Sequence, residues 1–361
     1  MTEPSIHPPD FTSFFDQHQS PLFSLPPEIR DEIFAFALSS YEDTTRAYSK
    51  GTYWTRPGYS APHRTCTELL RTCKRVYSEA WFMPFAYAEH SFYLTSSNRA
   101  PGSLTPVAFE KCLAMIDRIH GQLEAGHIRI FAQMFVLEPG NEMQRVLGMP
   151  HFHPTSITLT LRYTDFWFWE DNEPLRIGGR WVNSIRFPSS VSRFRIDFES
   201  IERRKGEVDY IANEAADSWF FHRVDGQILT ARKSETAISK WTGSSVLGET
   251  RWIRDEVRPS QLDYHVVTVT WRVSNQADVK LSTPYPSLRV PYDFDRPDPP
   301  LPQGRSIGES SLRAAGISPD TPAEETLVQY REWLRTRRQY DSDESDEYED
   351  VETEEEDDDS Y

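Results

Sequence analysis

Long apolar runs are missing from this sequence. No stretch of about 18 consecutive apolar residues occurs, so no membrane-spanning helix is expected. Cysteine is scarce: Cys66, Cys73 and Cys112 are odd in number and have no CxxC spacing. That pattern supports neither a disulfide framework nor a cysteine zinc site, and it points to a reducing compartment, cytoplasm or nucleus. The opening MTEPSIHPPD lacks a basic start and an apolar run, so no signal peptide is expected. An excess of basic residues is also missing. Net charge is −17, and the segment 341–361 carries fourteen Asp or Glu with no Lys or Arg. Without that segment, 42 acidic residues face 39 basic ones, a net of −3, so no basic surface for nucleic acid is implied.

The composition is rich in aromatics instead. Trp 10, Tyr 16 and Phe 21 make up 13% of the chain, and all apolar residues together make up 38%, so much of the core must be aromatic. The length of 361 residues suits one large domain or two ordinary ones.

Residues 1–20 are polar and are expected to be disordered. Pro26 and Pro27 suit the first turn of a helix, where a missing N–H costs nothing, and Glu28 complements the positive helix end. Ile29, Ile33, Phe34, Ala37 and Leu38 then recur on one helical face. Lys50-Gly51, Pro57-Gly58 and Pro62 mark turns within a loop insertion at 39–67, which carries Tyr41, Tyr48, Tyr53, Trp54 and Tyr59. A second helix is expected from Leu69, Leu70, Cys73, Val76, Tyr77 and Ala80; Pro84 limits it or starts a short further helix, and Ser91–Leu94 reads as a strand.

A strand–helix body is expected over 105–275. Its helices are read from Phe109, Cys112, Leu113, Ile116, Ile119 and Leu123, and from Val208, Ile211, Ala212, Ala215, Ala216 and Trp219. Its strands are read from alternation: Ile157, Leu159, Leu161 against Thr158, Thr160, Arg162; Phe194, Ile196, Phe198 against Arg195, Asp197; and Val267, Val269, Trp271, Val273 against Thr268, Thr270, Arg272. An earlier strand lies within Ile128–Leu137. The class is therefore mixed α/β (α+β). Strand spacing is irregular, so the body is either a single α+β domain or a degenerate, leucine-rich-repeat-like strand–helix solenoid. A Pro-rich linker follows at 276–320, then a helix over 321–338 that starts with a capping box at Thr321-Pro322-Ala323-Glu324, and last an acidic tail, 341–361, expected to be disordered.

LPPEIRDEIFAFAL and the later ELLRTCKRVYSEAWFMPFAYAEHSFYL resemble the F-box-like domain near the N-terminus of many fungal proteins of unknown function. The resemblance covers 21–94 and rests on Leu25, Pro26, Glu28, Ile29, Leu70, Cys73, Lys74 and Tyr77. SITLTLRYTDFWFWEDNEPLRI (156–177) and LDYHVVTVTWR (262–272) also resemble the bodies of such proteins, which have no established activity. In F-box proteins, short helices pack against a Skp-family adaptor and so join a cullin ubiquitin ligase, while the rest of the chain selects the substrate. The resemblance thus implies that Leu25, Pro26, Ile29, Ile33, Phe34, Leu70 and Val76 face the adaptor or support the surface that does, and that the body meets a further protein partner.

The stretch Tyr163–Asp171 is the most unusual in composition. Asp165, Trp167, Trp169 and Glu170 would form an aromatic groove flanked by acids, suited to a peptide, a sugar or an arginine side chain. Alternatively, alternate aromatics point into the core and the acids cap a turn. An enzyme using Asp165 or Glu170 would need the two carboxylates in one pocket. His151-Phe152-His153 offers two imidazoles on one face of an extended segment, but no third ligand stands at metal spacing. Gly178-Gly179-Arg180 and Gly243-Ser244-Ser245 match neither phosphate-binding nor nucleophile-elbow motifs and read as turns. No catalytic residue, metal or cofactor is therefore assigned from the sequence. The tail is expected to solubilise the chain, to engage a basic protein, or to fold back on basic surface.

Overall fold

In the computed structural model, residues 15, 17–102, 106–274, 286–299 and 306–349 are described. The chain divides into two compact units: Met1–Gly243 with Asp263–Pro297, and Ser244–Leu262 with Asp298–Tyr361. The architecture is mixed α/β.

The first unit begins with a layer of three short helices. Helix α1 (Pro27–Ala37) has Pro27 at its first position and Glu28 in its first turn. The expected second helix is broken. Leu69–Arg71 forms a 3-10 turn, Cys73 is extended, and α2 (Lys74–Ala80) starts after it. The Cys73 sulfur accepts the Val76 N–H at 3.5 Å and so caps α2. Helix α3 (Met83–Tyr87) starts anew with Pro84 in its first turn. Phe34, Leu38, Val76, Ala80 and Met83 form the core of this layer.

Among the described residues the main sheet has nine strands, and it curls into a half-barrel. In chain order they are β1 (Glu89–Leu94), β2 (Glu124–Ala132), β3 (His153–Leu161), β4 (Arg186–Phe187), β5 (Arg193–Ile201), β6 (Phe221–Arg223), β7 (Ile228–Ala231), β8 (Ala237–Ser244) and β9 (Gln261–Ser274). Their order across the sheet is β1-β2-β3-β5-β9-β7-β6-β4, and β8 also pairs with β9. Strands β1, β2, β3 and β5 are parallel neighbours in chain order. Strand β9 enters antiparallel and ends that run. β1 therefore belongs to the sheet rather than to the separate 21–94 module expected from the sequence, because its backbone groups pair along β2.

Helices α4 (Pro106–His120), α5 (Met134–Leu137), α6 (Asn141–Leu147), α7 (Arg180–Ser184) and α8 (Lys205–Ser218) complete this unit. Their apolar residues join one face of the sheet in a single core, which contains Ile128, Ile130, Ile157, Leu159, Phe194, Ile196, Val267 and Val269. Alternation of side chains along each strand dictates this, since every second residue must face the helices. The centre is aromatic, as the composition requires. Trp181 and Trp219 pack edge to face with centroids 5.4 Å apart, and Phe221 lies 5.4 Å from Trp271. The Gly179 turn is set by close approach, because a Cβ there would fall 2.3 Å from the backbone of Pro286.

In the second unit, Ile253, Ile307, Leu312 and Ile317 form a small core. Helix α9 (Glu309–Ala314) is closed by Gly316 at φ 69, and the Ile317 N–H returns to the Leu312 carbonyl at 2.9 Å. Arg251 is buried and ion-paired with Glu256 at 2.7 Å, and it also donates to the Thr321 carbonyl at 2.7 Å. The stretch expected as a linker, 276–320, is thus divided. Its residues up to Pro297 fall in the first unit and those from Asp298 in the second, where α9 gives it a packed helix. Residues 275–285 and 300–305 lie outside the described residues.

Helix α10 (Ala323–Glu349) runs further than the expected 321–338 and into the acidic segment. Residues 1–14 and 350–361, expected as disordered ends, lie outside the described residues, as does Asp16. Among the described residues no helix is long and apolar enough to cross a membrane.

Candidate functional site

The LPPEIR segment is pinned by its arginine. Arg30 is buried, pairs with Glu79 on α2 (Nε–Oε2 2.9 Å) and donates to the Leu25 carbonyl at 2.7 Å. The inward stripe of α1 is therefore Arg30, Phe34 and Leu38, at offsets of four. This corrects the face read from hydropathy, which grouped Ile29, Ile33, Phe34, Ala37 and Leu38. Ile29 is 44% exposed, Ile33 39% and Phe36 85%, so these three form an outward apolar stripe. Leu25 and Leu70 are half-buried and Pro26 is exposed, whereas Phe34 and Val76 are core. Of the seven residues singled out by the resemblance, Phe34 and Val76 can only support the layer; the others reach its surface.

The aromatic–acid stretch does not gather into an open groove. Asp165 is buried and grips Arg162 through three hydrogen bonds, from the backbone N–H at 3.0 Å, Nε at 2.7 Å and Nη2 at 2.9 Å. Trp169 is buried edge-on against Tyr163 at 5.2 Å. Trp167 is half-buried and donates to Glu138 at 2.9 Å, while Glu170 lies 3.8 Å from Arg99. Asp165 and Trp169 are thus interior packing and are not available to walls of a cleft. Metal-ligand clustering gives no alternative: among the described residues no group of three or more His, Cys, Asp or Glu is placed to hold a metal ion.

The sheet face opposite the helices is polar, and register turns its side chains into rows. The first row is Glu89, His127, Ser156, Arg193 and Arg272; the second is Ser91, Arg129, Thr158, Arg195 and Thr270; the third is Tyr93, Phe131, Thr160, Asp197 and Thr268. The fourth contains Glu199, and Arg162 directly follows the last residue of β3.

The loop 39–67 crosses the third and fourth rows. It is closed by an antiparallel pair, Ser40–Glu42 with His63–Thr65. Tyr59 packs edge-on against Phe131 at 5.1 Å, and the Tyr53 carbonyl accepts from Arg162 at 3.1 Å. Arg56 forms a buried ion pair with Glu199 at 2.8 Å, and Trp241 donates to the same carboxylate at 3.0 Å. Burial pushes the Glu199 carboxyl up from its ordinary value, and Arg56 opposes that rise. Tyr59 and the Tyr53 backbone therefore help this loop to cover the sheet, whereas Tyr41 of the same loop is 51% exposed.

The first and second rows are less fully satisfied. Asp197 accepts from Arg129 (2.8 Å), Thr160 (3.1 Å) and Thr268 (2.7 Å), and so has its partners. Glu89 lies 3.4 Å from Arg129 and 3.6 Å from His127. The Nε of Arg193 and that of Arg195 are each buried without a hydrogen-bond partner, and the charges of Asp197 and Glu89 act on Arg195 through space. The hydroxyls of Ser91, Ser156 and Thr158 are likewise buried and unpartnered. A cavity of about 240 Å³ opens at the β1 edge of this face, lined among others by Tyr48, Tyr59, Glu89, Ser91 and Tyr93.

His127 reports the local field. Burial and the guanidiniums of Arg129, Arg195 and Arg193 hold its imidazole down to about 4, against the opposing charge of Asp197. The folded value lies below the ordinary 6.5, so the unfolded chain binds the proton more readily between pH 6.5 and 4. Stability from this group is present above pH 6.5 and is lost as pH falls towards 4, by on the order of 2 kcal/mol after allowance for solvent screening. Urea unfolding of wild type and His127→Gln at pH 7 and pH 4.5 checks this. The wild type is expected to lose more stability than the variant over that interval. Glu89, whose carboxyl is pushed up by burial, contributes with the opposite sign and is common to both proteins.

The polar rows were the feature that sequence reasoning passed over. The alternating polar residues Thr158, Thr160, Arg195, Asp197, Thr268 and Thr270 were visible as the outward half of each strand, but only strand pairing shows that they form one surface. Comparison with known proteins finds no matching family model, no matching curated protein and no matching solved structure.

Proposed function

We propose that the protein is a non-enzymatic interaction protein whose N-terminal helices act as an F-box-like module. In this reading the module docks a Skp-family adaptor, and the mixed α/β body selects the protein delivered to a cullin ubiquitin ligase. The sequential parallel run β1-β2-β3-β5 suits a body of the strand–helix solenoid kind. The observation that carries the reading is the outward stripe Ile29, Ile33 and Phe36 on α1, beside the exposed Pro26 and half-buried Leu25. A helix that leaves such residues in water while the Arg30–Glu79 pair and Phe34 hold it in place is built to meet an apolar groove.

The test is capture of a purified Skp-family adaptor by the full chain. Ile29→Asp and Ile33→Asp are expected to weaken capture by about a hundredfold or more, since desolvated apolar anchors contribute ~2–4 kcal/mol each. Thermal unfolding of these variants should stay near that of wild type, because both side chains are substantially exposed. Ile238→Asp, at a position 62% exposed on β8, serves as a surface control and should bind as wild type does. Absence of binding by the wild-type chain would sink the ligase role and leave an F-box-like scaffold.

A further inference from the structure

Rows one and two of the polar sheet face bring His127, Ser156 and Arg193 into register, and beside them Arg129, Thr158 and Arg195. Neighbouring strands stand roughly 4.8 Å apart and alternate residues roughly 6.8 Å apart, so the six positions occupy a patch of roughly 10 by 7 Å. We infer that this patch is a binding site for a phosphoryl group, held by the guanidiniums of Arg193 and Arg195 and by the hydroxyls of Ser156 and Thr158.

Three observations converge. Thr158 is 1% exposed, yet its hydroxyl has no partner, and Ser156 repeats the pattern two residues away. A buried hydroxyl without a partner is costly, so a missing acceptor on the same face accounts for both. Arg193 and Arg195 each hold a buried, unpartnered Nε, and Asp197 and Glu89 act on Arg195 through space without a hydrogen bond to it. Arg129 is different: Asp197 and Glu89 already sit against it.

Three guanidiniums, those of Arg129, Arg193 and Arg195, face the two carboxylates of Glu89 and Asp197, so the patch keeps an excess of positive charge that an anion matches. The fork of N–H donors on arginine also matches two oxygens of one phosphoryl group. The groups facing this patch are Glu89, His127, Arg129, Arg193, Arg195 and Asp197, with Arg272 beside Arg193 and paired to Glu235. Burial, and after it like-charge crowding among the cations, lowers the Arg195 and His127 values, a cost that a bound anion relieves.

The experiment is calorimetric titration of the full-length chain with inorganic phosphate at constant ionic strength set by chloride. Parallel arms use O-phosphoserine, adenosine monophosphate and succinate. Saturable binding of one phosphate is expected. Arg193→Met and Arg195→Met, which keep the aliphatic stems, should each weaken it by about ten- to a hundredfold, and Thr158→Val by about tenfold. Arg145→Met, at an exposed site on α6 already paired with Glu142, should not change it. A second readout is the His127 imidazole, whose titration in NMR spectra should move upward when phosphate is bound. Tighter binding of O-phosphoserine assigns the ligand to a modified protein side chain, and tighter binding of adenosine monophosphate to a nucleotide. The inference is overturned by no saturable binding, by undiminished binding to the Arg193→Met/Arg195→Met double variant, or by equal binding of succinate.

Discussion

Asp165→Ala is expected to destabilise the first unit by about 3–5 kcal/mol, a large part of the roughly 5–15 kcal/mol that holds an ordinary domain together. Asp165 receives three hydrogen bonds from one residue, Arg162, whose side chain is itself buried. The remaining nitrogen of Arg162, Nη1, donates to the carbonyls of Tyr53 at 3.1 Å and Arg99 at 3.2 Å. Those carbonyls cannot neutralise a guanidinium. Removing the carboxylate therefore leaves a full charge in the interior, and the penalty is that of an unpaired buried ion rather than of the lost bonds. Asp165→Asn tests the distinction, because it keeps the shape and part of the hydrogen bonding while removing the charge. It should cost nearly as much as alanine. The double variant Arg162→Met/Asp165→Leu should cost clearly less than the two single changes together, since neither charge remains. Urea unfolding followed by tryptophan fluorescence measures wild type, both Asp165 variants, the double variant, and Arg162→Met and Asp165→Leu alone. A loss under about 1 kcal/mol for Asp165→Ala would show that water reaches Arg162.

Trp219→Ala is expected to cost about 3–5 kcal/mol, and unfolding should occur at correspondingly lower urea. The indole is fully buried, lies 5.4 Å from Trp181 and 6.2 Å from Phe198, and donates its Nε1–H to the Pro286 carbonyl at 2.7 Å. Truncation opens a large cavity among aromatic side chains, and it strips the Pro286 carbonyl of that donor. Trp219→Phe should recover most of the packing but not the hydrogen bond, and so should cost about 1–3 kcal/mol. A smaller loss for alanine than for phenylalanine would contradict the placement of Trp219 at the core.

The sequence made the strands legible because alternation is a local property. Ile157, Leu159 and Leu161 announce a face without reference to any other strand, and that face is the one the helices cover. Register is not local. Nothing near Thr158 says that Arg129 and Arg195 will lie on either side of it, since those residues stand 29 and 37 positions away. The same limit hid the destination of the loop 39–67. Its turns were readable from Gly and Pro, but its attachment to Phe131, Arg162 and Glu199 depends on the finished sheet. On α1, hydropathy favoured Ile29 and Ile33 as inward residues. The structure turns the helix so that Arg30 is inward, because Glu79 and the Leu25 carbonyl satisfy its guanidinium. Phe34 and Leu38 keep the core contact, and the isoleucines are released to the surface. For Tyr163 to Trp169 the sequence left two alternatives, an aromatic groove or inward aromatics with acids capping a turn; the Arg162–Asp165 pair folds the run into a buried turn.

The outward face of α1 is the part of the chain on which the proposed interaction depends, and hydrogen–deuterium exchange of the full chain with and without a Skp-family adaptor addresses it most directly. The expected result is slower exchange confined to Leu25–Ala37 and the neighbouring Leu69–Arg71 turn, with the main sheet unchanged. Exchange unaltered by the adaptor, or slowed only in the sheet or in α10, would contradict the assignment of α1 as the docking surface.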